Sequence, residues 1–176
     1  MASVNDTPLT LPDLRDSLIK RKEQIRQENM GLKEYQGKRN FSKTPEPHGD
    51  VVDTGKSRFV VHRHDASHLH FDFRLEMDGM LKSWAVPKGL PEEPGVRRLA
   101  VQVEDHPLSY IDFKGTIPEG QYGAGTVEIW DNGQYVLEKK MEKQIEFTLN
   151  GKRFTGGYAL IHTQGKNWIF IKRLPK

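Results

Sequence analysis

From Leu11 to about Tyr35 the apolar residues Leu11, Leu14, Leu18, Ile25 and Leu32 recur at three- to seven-residue steps among helix-forming polar residues, which predicts one helix with Gly31 as a possible break. So thin a stripe suits a helix lying on a domain or a partner rather than one that builds a core. Residues 37–57 carry three Gly, two Pro and few aliphatics, the composition of a long loop. After Arg58 the period changes to alternation, and candidate strands fall at 58–63, 68–77, 80–86, 97–104, 126–131, 134–139, 144–149, 152–156, 157–163 and 167–173. Asp78-Gly79, Asn132-Gly133 and Asn150-Gly151 sit between such runs, and these pairs favour tight hairpin turns. Seven to nine short antiparallel strands imply a small barrel or sandwich. The chain therefore divides into a helical extension over 1–36 and a β domain over 37–176.

Composition narrows the chemistry. The 176 residues include no Cys, which removes disulfides, thiol nucleophiles and iron–sulfur clusters, so any metal must sit on the seven His or on carboxylates. No apolar run reaches the roughly 20 residues of a membrane helix, and the N-terminus lacks the pattern of a signal peptide. A cytoplasmic protein without a membrane partner is expected. The net charge is only +3, and the basic excess lies in the last third, with 9 basic against 6 acidic residues over 116–176. Such a surface suits nucleic acid without requiring it.

Two polar rows stand out. In LHFDFRLEM, Leu69, Phe71, Phe73 and Leu75 share one face of a strand, and His70, Asp72, Arg74 and Glu76 the other. An outward polar row is ordinarily just solvated, but this one sets a metal-ligand type, an anionic ligand and a phosphate-binding type in order. His64 lies six residues upstream, roughly 20 Å away on a straight strand, so it can share a metal with His70 only if the chain reverses at Asp65-Ala66-Ser67. His62 and His68 are the competing ligands. A His64, His70 and Asp72 set would suit Mn²⁺, Fe²⁺ or Zn²⁺. The second row places Arg98, Glu104 and His106 on the face opposite Leu99, Val101 and Val103, combining a phosphate-binding cation with a carboxylate and an imidazole able to move a proton. Lys88 follows a strand and could reach a phosphate, although a turn lysine is usually only solvated. The glycine-rich 118–127 lacks a G-K-[ST] ending, which rejects a nucleotide P-loop.

The segments YQGKRNFSKTPEP, FVVHRHDASHLHFDFRLEMDGMLKSWAVPKG, RLAVQVEDHPLSY and FKGTIPEGQYGAGTVEIWDNG together resemble the 3′-phosphoesterase domain of bacterial DNA ligase D and its stand-alone relatives, from about Tyr35 to the C-terminus. The resemblance implies a mainly β fold, a small antiparallel β-barrel of about eight strands with a flanking N-terminal helix. It further implies a manganese-dependent hydrolase, with Zn²⁺ or Co²⁺ as substitutes, that removes a 3′-terminal ribonucleoside and then the 3′-phosphate to leave a 3′-OH. DNA 3′ ends would be its substrate, and an end-joining ligase, a polymerase and Ku its possible partners. By this resemblance His64, His70 and Asp72 match the metal ligands, and Arg74 and His106 the catalytic phosphate contacts. Tyr110 and Glu104 match their neighbours, Lys88 and Arg98 accessory cations, and Arg39 and Glu46 a functional N-terminal segment. Asn40, expected with Lys88 and Arg98 among the substrate phosphate contacts, stands where an aspartate is common. No K-x-D-G ligase nucleophile occurs, so nick sealing is not expected. Two other readings start from the same residues. His70, Asp72 and a distal His106 can be read as the facial triad of an Fe(II) oxygenase, and the barrel as a non-catalytic single-strand binder, which would display stacking aromatics on its polar face.

Overall fold

The computed structural model describes residues 10–176. Residues 1–9 of the expected helical extension lie outside the described residues. Helix α1 runs over Leu11–Gly37 without a break at Gly31. Thr10 and Asp13 form a reciprocal capping box at its start, and a proline occupies the first turn, where no intrahelical N–H is lost. Of the apolar stripe, Leu11, Leu14 and Leu18 are exposed, and Leu32 is buried together with Tyr35. The helix therefore docks by its C-terminal end, which places Lys38 and Arg39 over the domain.

Nine strands follow: β1 (Arg58–Asp65), β2 (Leu69–Met77), β3 (Met80–Val86), β4 (Arg97–His106), β5 (Gly115–Ile117), β6 (Gly125–Met141), β7 (Gln144–Asn150), β8 (Thr155–Gln164) and β9 (Asn167–Lys172). The order β1-β2-β3-β4-β9-β8-β7-β6, with β6 returning to β1, closes an eight-stranded antiparallel barrel, and β5 is attached to β6. Among the described residues no helix is long and apolar enough to cross a membrane.

Three strand expectations need correction. Asn132-Gly133 makes no hairpin, because β6 continues through it for 17 residues, pairing early with β1 and later with β7. Gly133 serves close packing instead, since a Cβ there would run into the Asn150 carbonyl oxygen. Segment 152–156 is no separate strand. Asn150 already faces Thr155, and the backbone N–H groups of Lys152, Arg153 and Phe154 all donate to the buried Asp131 carboxylate at 2.9–3.0 Å, which shapes a loop. Short β5 and a 3₁₀ turn at Leu108–Asp112 carry too little periodicity to be anticipated. Asp78-Gly79 does make the expected tight turn, with φ of 56° and 77° and Met77 facing Met80.

The hydrophobic residues form two layers. Phe73, Trp84, Phe147, Leu160 and Phe170 fill the barrel, with the Phe73 ring 5.6 Å from Phe147 and 4.9 Å from Phe170. On the outer face of β1–β4 a second cluster gathers Tyr35, Val60, Leu81, Leu108, Tyr110, Ile111 and Phe113. This cover keeps the outward polar row out of water: Asp72, Arg74, Glu76, Glu104 and His106 are all buried.

Candidate active site and metal centre

The chain reverses at Ala66–His68, so His64 of β1 stands directly opposite His70 of β2, with their rings 4.6 Å apart. One nitrogen of each ring is assigned by a carbonyl, which can only accept. His64 Nε2 donates to Gly123 O at 2.7 Å, and His70 Nδ1 donates to His68 O at 3.0 Å. The lone pairs of His64 Nδ1 and His70 Nε2 therefore point inward, 3.3 and 3.4 Å from the two Asp72 carboxylate oxygens. One ligand atom from each residue lies within 4.8 Å of the others. Three converging acceptors need a cation between them, either protons or a metal ion. Backbone carbonyls that fix the outer nitrogen are the usual means of aiming a metal-binding histidine, and a two-nitrogen, one-oxygen set fits a divalent transition metal. Burial favours a neutral Asp72, yet the Arg74 guanidinium and the two imidazoles hold its carboxyl well below the usual range. Hydrogen bonding to Asp72 raises the pKa of His70.

Arg74 sits two residues further along the same strand face. Its Nε donates to His62 Nδ1 at 3.3 Å, and its Nη2 lies 3.4 Å from Asp72 Oδ2. Nη1 is buried with no partner. The ring of Tyr110 lies 4.9 Å from the guanidinium carbon. His62 is no metal ligand here. Its Nε2 donates to Phe113 O at 3.0 Å, and burial, reinforced by Arg74, pushes its pKa down to about 3, leaving a neutral ring that orients Arg74.

His106 approaches from β4, but by a different route from simple alternation. Leu81 pairs with His106 and Ser83 with Val103, so two residues of β4 oppose one of β3, the signature of a bulge. Upstream of it the phase is the reverse of the one expected: Ala100 is buried in the barrel core and Leu99 is 51% exposed. Arg98 therefore does not share a face with His106. The bulge re-aims Glu104 and His106 toward the outer pocket. The backbone carbonyl of Glu104, not its carboxylate, orients the imidazole, accepting from His106 Nδ1 at 2.8 Å. Arg39 Nη2 then donates to His106 Nε2 at 3.3 Å. Burial, with Arg74 and Arg39 alongside, holds the His106 pKa well below its ordinary value. With that lone pair engaged by Arg39, a triad of His70, Asp72 and His106 is not assembled.

The N-terminal segment supplies the roof. Arg39 pairs with Glu46 at 2.8 Å and Glu104 at 3.2 Å and lies 3.9 Å from the Tyr35 ring. Glu46 is a positioning residue: buried, it accepts from Arg39, from Thr44 Oγ1 at 3.0 Å and from the Tyr110 hydroxyl at 2.9 Å. Burial keeps the Tyr110 phenol protonated, with its pKa well above normal. A pocket of about 310 Å³ joins these groups, lined by His64, His70, Asp72, Arg74, Arg39, Glu104, His106, Tyr110 and Tyr122 among others.

Three expected site residues stand elsewhere. Lys88 and Arg98 line a separate cleft with Phe71 and Trp130. Asn40 is exposed and forms a turn, its Oδ1 accepting from the Ser42 N–H at 3.1 Å and hydroxyl at 2.6 Å. Conversely, Tyr35, His62 and Gly123 serve the site through tertiary contacts. His62 alone left a trace in the sequence, by sharing its strand phase with His64.

A barrel carrying a convergent N,N,O ligand set beside a buried, unpaired guanidinium donor defines a candidate metal-dependent enzyme of anionic esters. Residues 62–162 match the family model of the DNA ligase D 3′-phosphoesterase domain, and the chain belongs to that family. It is 51% identical over 153 residues to the multifunctional non-homologous end joining protein LigD of Pseudomonas aeruginosa, covering 80% of this chain and 18% of that protein. The protein of the same name from Mycolicibacterium smegmatis is 47% identical over 151 residues, 78% of this chain and 20% of its own length. The chain thus spans about a fifth of these relatives.

Proposed function

We propose that this site is a divalent-metal phosphoesterase that processes DNA 3′ ends, removing a terminal ribonucleoside and then the 3′-phosphate to leave a 3′-OH for end joining. The observation that carries the reading is Arg74 Nη1, a buried charged donor with no partner, beside the His64, His70 and Asp72 cluster in one pocket. An unsatisfied buried guanidinium donor is costly unless an anion completes it.

His64 Nδ1, His70 Nε2 and Asp72 would hold the cation, Mn²⁺ by family resemblance, with Zn²⁺ or Co²⁺ able to replace it. When bound, such an ion polarises a phosphoryl oxygen and lowers the pKa of water. Arg74 binds a non-bridging phosphate oxygen through Nη1, while His62 and Asp72 keep its fork from turning. Arg39 stands across the pocket and contributes a second fixed positive charge. Burial first, and then the Arg74 and Arg39 guanidinium groups, keep His106 neutral in the free protein; a phosphate that takes over the Arg39 Nη2 donor frees His106 Nε2 to take a proton from the attacking water and pass it to the leaving oxygen. Tyr110 and Glu46 hold the roof closed against water. Lys88 and Arg98 act outside this pocket, as contacts to more distant parts of the strand, and Asn40 shapes the turn to Ser42. Whole-protein partners such as a ligase, a polymerase or Ku, and a cytoplasmic setting, are what the family resemblance implies.

The test uses a primer–template with a labelled 3′-phosphate. Release of phosphate with Mn²⁺ and its loss with EDTA support the reading; release undiminished by EDTA overturns it. A terminal ribonucleotide should leave only if its 5′ neighbour carries a 2′-OH, whereas equal trimming of all-DNA ends would identify a general exonuclease.

A further inference from the structure

Tyr122 is the one aromatic side chain among the described residues that is largely exposed, at 47%, whereas Tyr35, Tyr110, Tyr135 and Tyr158 are each 5% exposed or less. It contributes to neither hydrophobic layer. It lines the same pocket as the metal cluster, and it sits one residue before Gly123, whose carbonyl holds His64. The ring is therefore tied to the metal centre through one peptide unit. Two cations flank it: Lys38 Nζ lies 4.9 Å and the Arg39 guanidinium carbon 5.2 Å from the ring centroid. Lys38 is itself held by Glu34 at 2.9 Å and Glu104 at 3.4 Å.

A half-exposed aromatic ring lining a phosphate pocket matches the shape of a nucleobase, and the neighbouring cations, Lys38 also donating to the Tyr122 hydroxyl at 3.5 Å, suit the phosphate attached to it. We propose that Tyr122 is a stacking platform for the base of the nucleotide whose 3′-phosphate occupies the pocket. The inference rests on the phosphoesterase reading and adds the base subsite. Stacking is tolerant of base identity because every base has a π face, so the platform would set where the strand end lies without selecting a sequence. Trp130 is a poorer candidate, since its cleft lacks the metal ligands and Arg153 lies in closer contact with its ring, at 3.7 Å, than either cation does with Tyr122.

The experiment pairs Tyr122→Ala and Tyr122→Phe with two primer–templates ending in 3′-phosphate, one normal and one abasic at the terminal position, in Mn²⁺. Tyr122→Ala should raise KM for the normal primer about 5- to 150-fold, the range for losing one base–aromatic stack, with kcat within about threefold. Tyr122→Phe should restore it, and the abasic primer should show no difference among the three proteins. A second readout needs no turnover: a 3′-OH primer with terminal 2-aminopurine should be quenched on binding wild type and Tyr122→Phe but not Tyr122→Ala. Equal losses on normal and abasic primers, or quenching retained in Tyr122→Ala, would overturn the platform. If wild type quenches 2-aminopurine but releases no phosphate, the phosphoesterase reading fails while the stacking site stands.

Discussion

At the scale of single residues, the site depends on which lone pairs and protons face the pocket. Carbonyls at His68 and Gly123 turn two imidazole lone pairs onto Asp72, and His62 turns the Arg74 fork so that one donor is left over. The fork matters more than the charge. Lysine at 74 would keep a cation but could not reach His62, Asp72 and a phosphate together, because a point charge lacks the planar set of donors. Arg74→Lys should therefore be nearly as damaging as Arg74→Ala, with single-turnover phosphate release falling roughly 100- to 1,000-fold, the usual cost of one lost electrostatic contact to developing charge. Bound Mn²⁺ should stay unchanged in both variants. A loss of tenfold or less in Arg74→Lys would remove Arg74 from the phosphate-binding role. Asn40 gives the opposite expectation. Its work is the turn to Ser42, which an aspartate performs equally well, so Asn40→Asp should keep phosphate release within about twofold, and a larger change would bring its charge into the reaction.

At the scale of elements, the β1–β2 hairpin was legible because apolar and polar residues alternate without interruption along β2 and small residues mark the turn. The β4 row was not, because a bulge adds a residue that alternation cannot register, and Leu99 and Ala100 exchanged their expected environments. Asn132-Gly133 misled for a related reason: the pair is good turn chemistry, but here tertiary contact with Asn150 requires the missing Cβ. The roof of the site was legible only through family resemblance, since Arg39 and Glu46 meet Glu104 and Tyr110 from more than sixty residues away. Another outward carboxylate shows what the polar row does structurally. Glu76 receives Arg58 at 2.6 Å and the Thr54 hydroxyl, anchoring the 51–57 loop to β2. Burial alone would raise its pKa, but Arg58 and Thr54 lower it below the ordinary 4.5. A folded pKa below the unfolded one means that the stabilisation is complete above about pH 4.5 and is lost as the pH falls through the folded value. Glu76→Gln should cost roughly 1–3 kcal/mol in urea unfolding at pH 7, and its deficit relative to wild type should shrink below pH 4. A deficit independent of pH would show that packing, not charge, holds the loop.

At the scale of the whole molecule, the candidate site is built on the outside of a barrel whose interior is closed by its own aromatic core, so the proposed metal binding should be separable from folding. The matched region makes up about a fifth of each relative's length. Half-buried His70, with its side chain 25% exposed, is not a member of the Phe73 core. Replacing it leaves a solvent-accessible gap rather than a sealed cavity. His64→Ala, His70→Ala and Asp72→Asn should each abolish phosphate release and lower Mn²⁺ binding, while circular dichroism and urea midpoints of His70→Ala stay close to wild type. Phe73→Ala should behave inversely, losing about 3–5 kcal/mol of stability through a cavity at the centre of the barrel, yet retaining bound Mn²⁺ wherever it remains folded. Chelation by EDTA should likewise remove activity while the protein stays folded, the urea midpoint falling only by the lost binding free energy of the metal. Two results would break this picture. Unfolding by the chelator would make the metal part of the fold, as in zinc-stabilised domains. Full activity and metal content in His64→Ala would mean that Gly123 holds His64 for packing alone, and that the cation is carried by His70 and Asp72 with some other donor.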